Sequence, residues 1–447
     1  MLDLKNLRSA IRSEGGVSRR LFLAYSAALA ATPLLQFRAE AADEAVSFPS
    51  NPFTLGVASG DPDPTGVVLW TRLAPKIFEP DGGLGKKNIP LTWEIAADDG
   101  FKKIVQSDKV IASAELAHSV RIEVKGLESA RPYFYRFRTG DAVSPVGRTK
   151  TAPAADAMPE QLRFAFASCQ HWEQGLFTAY EQMAKDDPEL VIHLGDYIYE
   201  YAGTEKKVRK HHGPKIKTLE QYRMRHAQYR SDPLLQAMHA HCPWIVTWDD
   251  HEVENNYAND IPEKKVLDPA AFLEQRAHAY KAYYEAMPLR ATSIPHGPNM
   301  TLYRTVNFGR LAAFQVLDTR QYRTDQPNGD GRKELNEAAL DPKNTLMGKA
   351  QAEWLSKELG KSQAQWNVIA QQVMMGMVGY GKPGEVPKYS MDQWPGAAFE
   401  RMKLIKSIAD QKIRNPIVLT GDIHSHWMNN LRVDDRKHET PIVATEF

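Results

Sequence analysis

Cysteine is nearly absent from this chain: Cys169 and Cys242 are the only two in 447 residues. At most one disulfide can form, so a disulfide framework does not hold the fold together. Net charge is almost absent too. The 56 Lys and Arg face 55 Asp and Glu, and a formal charge of +1 gives no electrostatic argument for nucleic acid or an anionic membrane as partner. Internal repeats and low-complexity tracts are missing. With 43% hydrophobic and 25% charged residues, a disordered or collagen-like chain is excluded. Beyond the first forty residues no run of 18 apolar residues occurs, so no transmembrane segment is expected in the mature chain. The length leaves room for two or three domains and more than one sizeable core.

The first forty residues are of another kind. Ser18-Arg19-Arg20-Leu21-Phe22-Leu23 carries an arginine pair, with Arg8 and Arg12 upstream. An Ala- and Leu-rich stretch follows to about Leu35, too short for a membrane span of ~20 residues. Ala39-Glu40-Ala41 supplies a small-x-small cleavage site. Together these features predict an export signal over residues 1–41, of the twin-arginine type. The implied partner is the twin-arginine export machinery, and the implied destination is the periplasm or the outside of the cell. That route moves folded proteins, so a metal centre can be loaded before export.

Residues 42–153 read as turn-rich β-structure. Strand-like segments at 53–57, 66–71, 91–96, 119–124 and 133–138 are separated mostly by Gly-Asp-Pro, Asp-Gly-Gly and Asp-Asp-Gly turns. This spacing predicts a small all-β sandwich of the fibronectin-III or immunoglobulin kind. No chemistry is concentrated there, and support or surface recognition is its expected role. Residues 152–158 form a Pro- and Ala-rich linker. From residue 161 strands alternate with helices, expected at 177–185, 219–229, 233–241, 270–286 and 349–359. Ser231 is the expected cap of the third helix, and Gly360 the stop of the fifth. Residues 160–447 therefore read as an α/β catalytic domain with its loops gathered at one edge.

Six short apolar runs in that second part end in polar clusters. Residues 164–167 lead into Ser168-Cys169-Gln170, and 190–194 into Gly195-Asp196-Tyr197-Ile198-Tyr199. Residues 244–248 lead into Asp249-Asp250-His251-Glu252, and 311–317 into Asp318-Thr319-Arg320. Residues 366–370 lead into Gln371-Gln372, and 417–420 into Gly421-Asp422-Ile423-His424-Ser425-His426. Short continuous apolar runs are the mark of buried strands, and ligands bind beyond their carboxyl ends. Cys, Asp, His, Tyr and Arg at six such ends predict a polynuclear metal centre acting on phosphate. A disulfide is the plain alternative for the two cysteines. The polar setting favours Cys169 as a metal ligand and leaves Cys242 as a buried thiol. His211, His212 and His226 are expected on the rim of a charged helical insertion, where the basic run 206–217 also lies.

Gly195-Asp196, Asp249-Asp250-His251-Glu252 and Gly421-Asp422-Ile423-His424 resemble the three-part signature of the calcineurin-like metallophosphoesterases. The Asp-x-His element that opens that signature is replaced by Ser168-Cys169-Gln170. With Trp248 before the second cluster and Leu317-Asp318-Thr319-Arg320-Gln321-Tyr322-Arg323, the chain is identified as similar to the PhoD-type alkaline phosphatases. The resemblance runs from the signal to the last residue. Members of that family usually continue well past the position of Phe447, so a covering strand and helix are expected to be missing, with a sheet edge left open.

The resemblance implies ferric iron and calcium as cofactors. Cys169, Asp196, Tyr199, Asp250, Asp422 and His424 would be the metal ligands, Asp196 bridging the ions. Thiolate and phenolate suit ferric iron; carboxylate and amide oxygens suit calcium. His251 and Arg320 are the expected catalytic residues, with Arg323 and Asn255 binding substrate; Arg320 and Arg323 are both expected to grip phosphate oxygens. Attack on phosphorus by a metal-bound oxygen nucleophile is the implied reaction. The expected activity is hydrolysis of phosphomonoesters and of phosphodiesters by a secreted alkaline phosphatase, acting as a monomer on phosphate-ester substrates. A phosphodiesterase resembling phospholipase D, or a non-catalytic surface-binding protein, are the alternatives.

Overall fold

In the computed structural model, residues 47–203, 207–264 and 268–447 are described. The export signal predicted over residues 1–41 lies outside them. Among the described residues no helix is long and apolar enough to cross a membrane.

All six apolar runs are strands. Phe164–Ala167, Leu190–His193 and Trp244–Val246 lie parallel in one sheet. Ala312–Val316, Trp366–Ala370 and Pro416–Leu419 lie parallel in a second. The sheets pack face to face because successive side chains alternate between faces. Ile192 and Ile245 point inward onto Phe314, Val368 and Leu419. Their neighbours Val191 and Val246 point outward and are covered by Tyr222, Tyr229 and Met238 of the helices Leu219–Arg230 and Pro233–His241. On the other side Ile369 and Val418 meet Leu355 and Ile405, from Gly348–Lys361 and Ala398–Asp410. The catalytic part is thus a β-sandwich flanked by helices. Within each trio the strands are parallel, so the polar clusters that follow them gather on one rim.

The amino-terminal part differs from the expectation of a self-contained sandwich. Its strands Val57–Asp63, Gly66–Arg72 and Ser119–Val124 extend the first catalytic sheet, with Gly60 paired in parallel to Trp244. Ile89–Ala96, Ile104–Ala112 and Pro132–Thr139 form a separate sheet against them. Val67, Leu69 and Ile122 close the core between these sheets with Ile95, Tyr135 and Phe137. The Gly-Asp-Pro expected as a turn lies inside Val57–Asp63, where the register shifts between Gly60 and Asp63. Glycine is needed there because a Cβ at Gly60 would stand 2.6 Å from the Pro288 carbonyl oxygen. Buried Asp61 receives Arg304 at 2.7 Å, and Asp63 receives Arg290 at 2.7 Å, tying the two parts together.

Smaller differences have local causes. Asp232, not Ser231, caps Pro233–His241, because Pro233 takes the first helical position. The helix Gly348–Lys361 runs on through Gly360. Ile104–Ala112 went unread because it is a largely exposed edge strand without apolar alternation.

Candidate metal centre at the sheet rim

The loops after the six strands are strained where ligands were expected. Cys169, Asp196, Asp422 and His424 all adopt left-handed backbone conformations, with φ of 57°, 54°, 65° and 55°. Each costs roughly 1–3 kcal/mol away from glycine, so the surrounding packing must fix them. Glu252 provides much of that packing. Its buried carboxylate accepts the backbone N–H groups of Asp196 (3.0 Å), Tyr197 (2.6 Å) and Asp249 (2.8 Å), clamping two loops from different strands. Burial raises its proton affinity to about 7 even against those three donors. Gly195 lies where the two loops touch: a Cβ there would stand 2.4 Å from the Asp249 nitrogen.

The side chains held this way converge. Cys169, Asp196 and His424 place ligand atoms within 4.8 Å of one another; so do Asp196, Asp250 and His251, and so do Asp249, Asp250 and Asp422. The three groups overlap, sharing first Asp196 and then Asp250. Tyr199 joins the first group: its hydroxyl donates to Asp196 Oδ2 at 3.0 Å and lies 3.2 Å from His424 Nε2. The Asp422 N–H points at the Cys169 sulfur, 3.2 Å away. All six predicted ligands therefore meet at one place. Asp249 belongs with them, although the sequence reading gave it no role.

Charge and burial make the cluster unfavourable without a cation. Burial and neighbouring carboxylates raise the proton affinities of Asp196 and Cys169, and burial raises that of Asp249 despite Arg320 beside it. Asp422 is pushed up to about 6 by burial and by the Asp392 charge. Buried Asp249 Oδ2 and Asp250 Oδ1 have no hydrogen-bond partner among the described residues. The donor set suits the implied ions. The first group mixes sulfur, phenol, imidazole and carboxylate, as ferric iron accepts; the third is all oxygen, as calcium prefers. A cavity of about 500 Å³ opens onto Cys169, Tyr199 and His424 and is walled by His171, Tyr201 and Trp427.

For Asp422 the sign of the pH effect follows. A carboxyl whose folded proton affinity lies above the ordinary 3.8 destabilises the fold when ionised; that cost is full above about 6, declines as pH falls below it and is gone below the ordinary 3.8. Asp422→Asn is thus expected to raise the thermal midpoint of the metal-free chain at pH 8. The gain should shrink towards pH 5. An equal gain at both pH values would refute the assignment.

Other placements differ from the sequence reading. Arg320 is fully buried and does not face the cavity. It donates to Asp249 at 2.5 Å and to Asp392 at 2.8 Å, with Asp250 at 3.6 Å. Arg323 is buried too and is held by Asp392, whose charge it meets at 3.1 Å. The expected grip of these two arginines on phosphate is replaced by a grip on carboxylates. Asn255, expected at the substrate, turns its amide to Glu263 at 2.8 Å. His211 and His226 are buried rather than on the rim. The cysteines are free, and Cys242 is buried as expected. Asp392 and Gln393, which donates to Asp422 at 3.0 Å, were missed because nothing in their local sequence marks them.

His251 stands just beneath the cavity wall, its ring stacked on Tyr199 at 4.2 Å between centroids. Its Nδ1 faces the buried Glu200 carboxylate at 2.8 Å. Burial would lower its proton affinity, but Asp250, Asp196 and Glu200 together raise it well above the usual range. A fourth group, His171, Glu173 and His211, also brings its atoms within 4.8 Å of one another, but hydrogen bonds already use the imidazole lone pairs. The Tyr229 hydroxyl accepts the N–H groups of Trp172 and Tyr199, so its proton goes to His211 Nε2. His211 Nδ1 then carries a proton towards Glu173, and His171 Nδ1 accepts the Glu173 N–H. On both rings the remaining nitrogen then carries the proton and offers no lone pair.

Residues 164–447 match the family described as PhoD-like phosphatase, and residues 39–153 match its N-terminal domain. The chain belongs to the PhoD-like phosphatases. Alkaline phosphatase D of Bacillus subtilis (strain 168) is 52% identical over 408 residues, spanning 90% of this chain and 70% of that protein. A solved structure of PhoD superposes with a TM-score of 0.88 at 52% identity, covering 90% of this chain and 78% of that one. Among PhoD-like phosphatases, then, this rim of converging ligands is the candidate site of phosphoric ester hydrolysis.

Proposed function

We propose that this chain is a metal-dependent alkaline phosphatase that hydrolyses phosphomonoesters and also phosphodiesters. The observation that carries this reading is the convergence of Cys169, Asp196, Tyr199, Asp250, Asp422 and His424 from four strand ends, with Cys169, Tyr199 and His424 lining one cavity. Iron at the Cys169, Tyr199 and His424 group and calcium at the Asp249, Asp250 and Asp422 group are the ions that the donors favour. When bound, such cations polarise phosphoryl oxygens and offset developing negative charge.

The protein's own groups do the rest. Asp196 spans the first two ligand groups and fixes their separation. Glu252 and the Glu200–His251 pair hold the loops and the imidazole in register. His251 supplies a proton to the departing alkoxide; the Glu200 carboxylate faces its Nδ1, which leaves Nε2 for the site. His171, Tyr201 and Trp427 border the cavity and restrict water around the ester. The Arg19-Arg20 pair, the apolar stretch after it and Ala39-Glu40-Ala41 support export through the twin-arginine route to the periplasm or the outside.

The test is metal analysis of the purified full chain together with hydrolysis of nitrophenyl phosphate and of its bis-ester. Turnover no faster than buffer by the metal-replete protein would overturn the reading in favour of a binding role. His251→Gln is expected to slow alkyl phosphates by about 10²–10⁴-fold and nitrophenyl phosphate far less, since the latter leaves without a proton. Equal losses on both substrates would remove His251 from proton transfer.

A further inference from the structure

A small cavity lies where the amino-terminal strands meet the catalytic part, about 10 Å³ in volume and so large enough for one small occupant. Leu55, Trp70 and Arg72 wall it from one side and Tyr197, His226 and Arg230 from the other. His226 is 1% exposed and Arg230 3%. Both ring nitrogens of His226, and Nε and Nη2 of Arg230, have no hydrogen-bond partner among the described residues. Arg230 Nη1 reaches the Tyr197 hydroxyl at 3.2 Å, and its guanidinium lies over the Trp70 ring, 4.3 Å from the centroid. Arg72 uses its own donors on the backbone carbonyls of Ala117 and Arg223. No carboxylate lines the cavity among the described residues.

The balance of donors and acceptors decides what fits. The N–H donors of Arg230 Nε and Nη2 and one imidazole N–H are left over, against a single imidazole lone pair. A water molecule must donate two protons as well as accept, and it brings no charge to Arg230, which has no ion pair among the described residues, whereas Glu285 already acts on Arg72. A monatomic anion accepts from every donor and supplies the missing charge. Trp70, Leu55 and the Tyr197 ring give it a dry surround, in which the attraction to the Arg230 guanidinium is least screened. We propose that this cavity is a structural halide site, with chloride as the occupant, joining the amino-terminal strands to the loop that carries Asp196. Tyr197 is the link, because it borders the cavity and directly follows Asp196 in the chain.

Diffraction from crystals of the full chain grown in bromide tests this directly. An anomalous bromine peak between His226 and Arg230 is expected. In solution, chloride or bromide should raise the unfolding midpoint in a saturable way, on the order of 2 °C above gluconate at equal ionic strength. His226→Leu should abolish that difference, and it breaks no hydrogen bond to a described residue. If that variant does not fold, the bromide diffraction of the unmodified chain still decides. A cavity without a bromine peak, or equal midpoints in chloride and gluconate, would overturn the proposal.

Discussion

Asp196→Ala is expected to release metal from two neighbouring positions at once and to lower kcat/KM on the order of 10³-fold or more, about 4 kcal/mol of lost transition-state stabilisation. The reason is its position. One carboxylate belongs both to the group with Cys169 and His424 and to the group with Asp250 and His251. Removing it also frees the Tyr199 hydroxyl, which donates to Asp196 Oδ2 at 3.0 Å. Cys169→Ala should act more narrowly, taking iron and leaving the all-oxygen group near Asp422 able to hold calcium. Elemental analysis beside steady-state kinetics separates the two variants. Full iron in the Cys169 variant, or a full metal complement in the Asp196 variant, would rule out the ligand assignments.

Arg320→Met should act on the fold before it acts on substrate. Arg320 is 0% exposed and sits among Asp249, Asp250 and Asp392. Breaking a buried ion pair on one side costs about 3–5 kcal/mol, because the partner carboxylates remain buried and uncompensated. Burial would raise the proton affinity of Asp392, yet Arg320 and Arg323 hold it well below the ordinary carboxylate range. Losing Arg320 would therefore release proton uptake at Asp392 and let Asp249 and Asp250 move apart. Arg320→Lys should rescue little, since one ammonium does not reproduce two N–H groups aimed at Asp249 and Asp392. The measurements are a denaturant midpoint and KM. A normal midpoint with a raised KM would instead restore the reading in which Arg320 grips phosphate.

The contrast between Arg320 and Asp196 shows what local sequence can carry. Gly195-Asp196 follows a buried strand, and a short acidic side chain at a tight turn there has few roles besides ligation or capping. An arginine after a strand has two good uses, a phosphate or a buried carboxylate, and its neighbours in sequence do not distinguish them. The deciding partner, Asp392, lies 72 residues away. Asp249 is a similar case. It was legible as part of an acidic cluster, but its place beside Asp422 depends on two different sheets. His211 shows the reverse error: a charged neighbourhood in sequence suggested the rim, while Tyr229 and Glu173 enclose it.

The sequence by itself determined the six catalytic strands, the residues at their ends and the family to which they belong. Buried parallel strands are written as continuous apolar runs, and the ends of such runs are where ligands collect. Only the tertiary structure decided which carboxylates converge, that Arg320 and Arg323 face inward, and that the amino-terminal strands continue the catalytic sheet through Gly60 and Trp244. Those outcomes depend on contacts between segments far apart in the chain. Such contacts are set by how the sheets stack and by which buried charge is nearest, and neither leaves a periodic trace in the residues themselves.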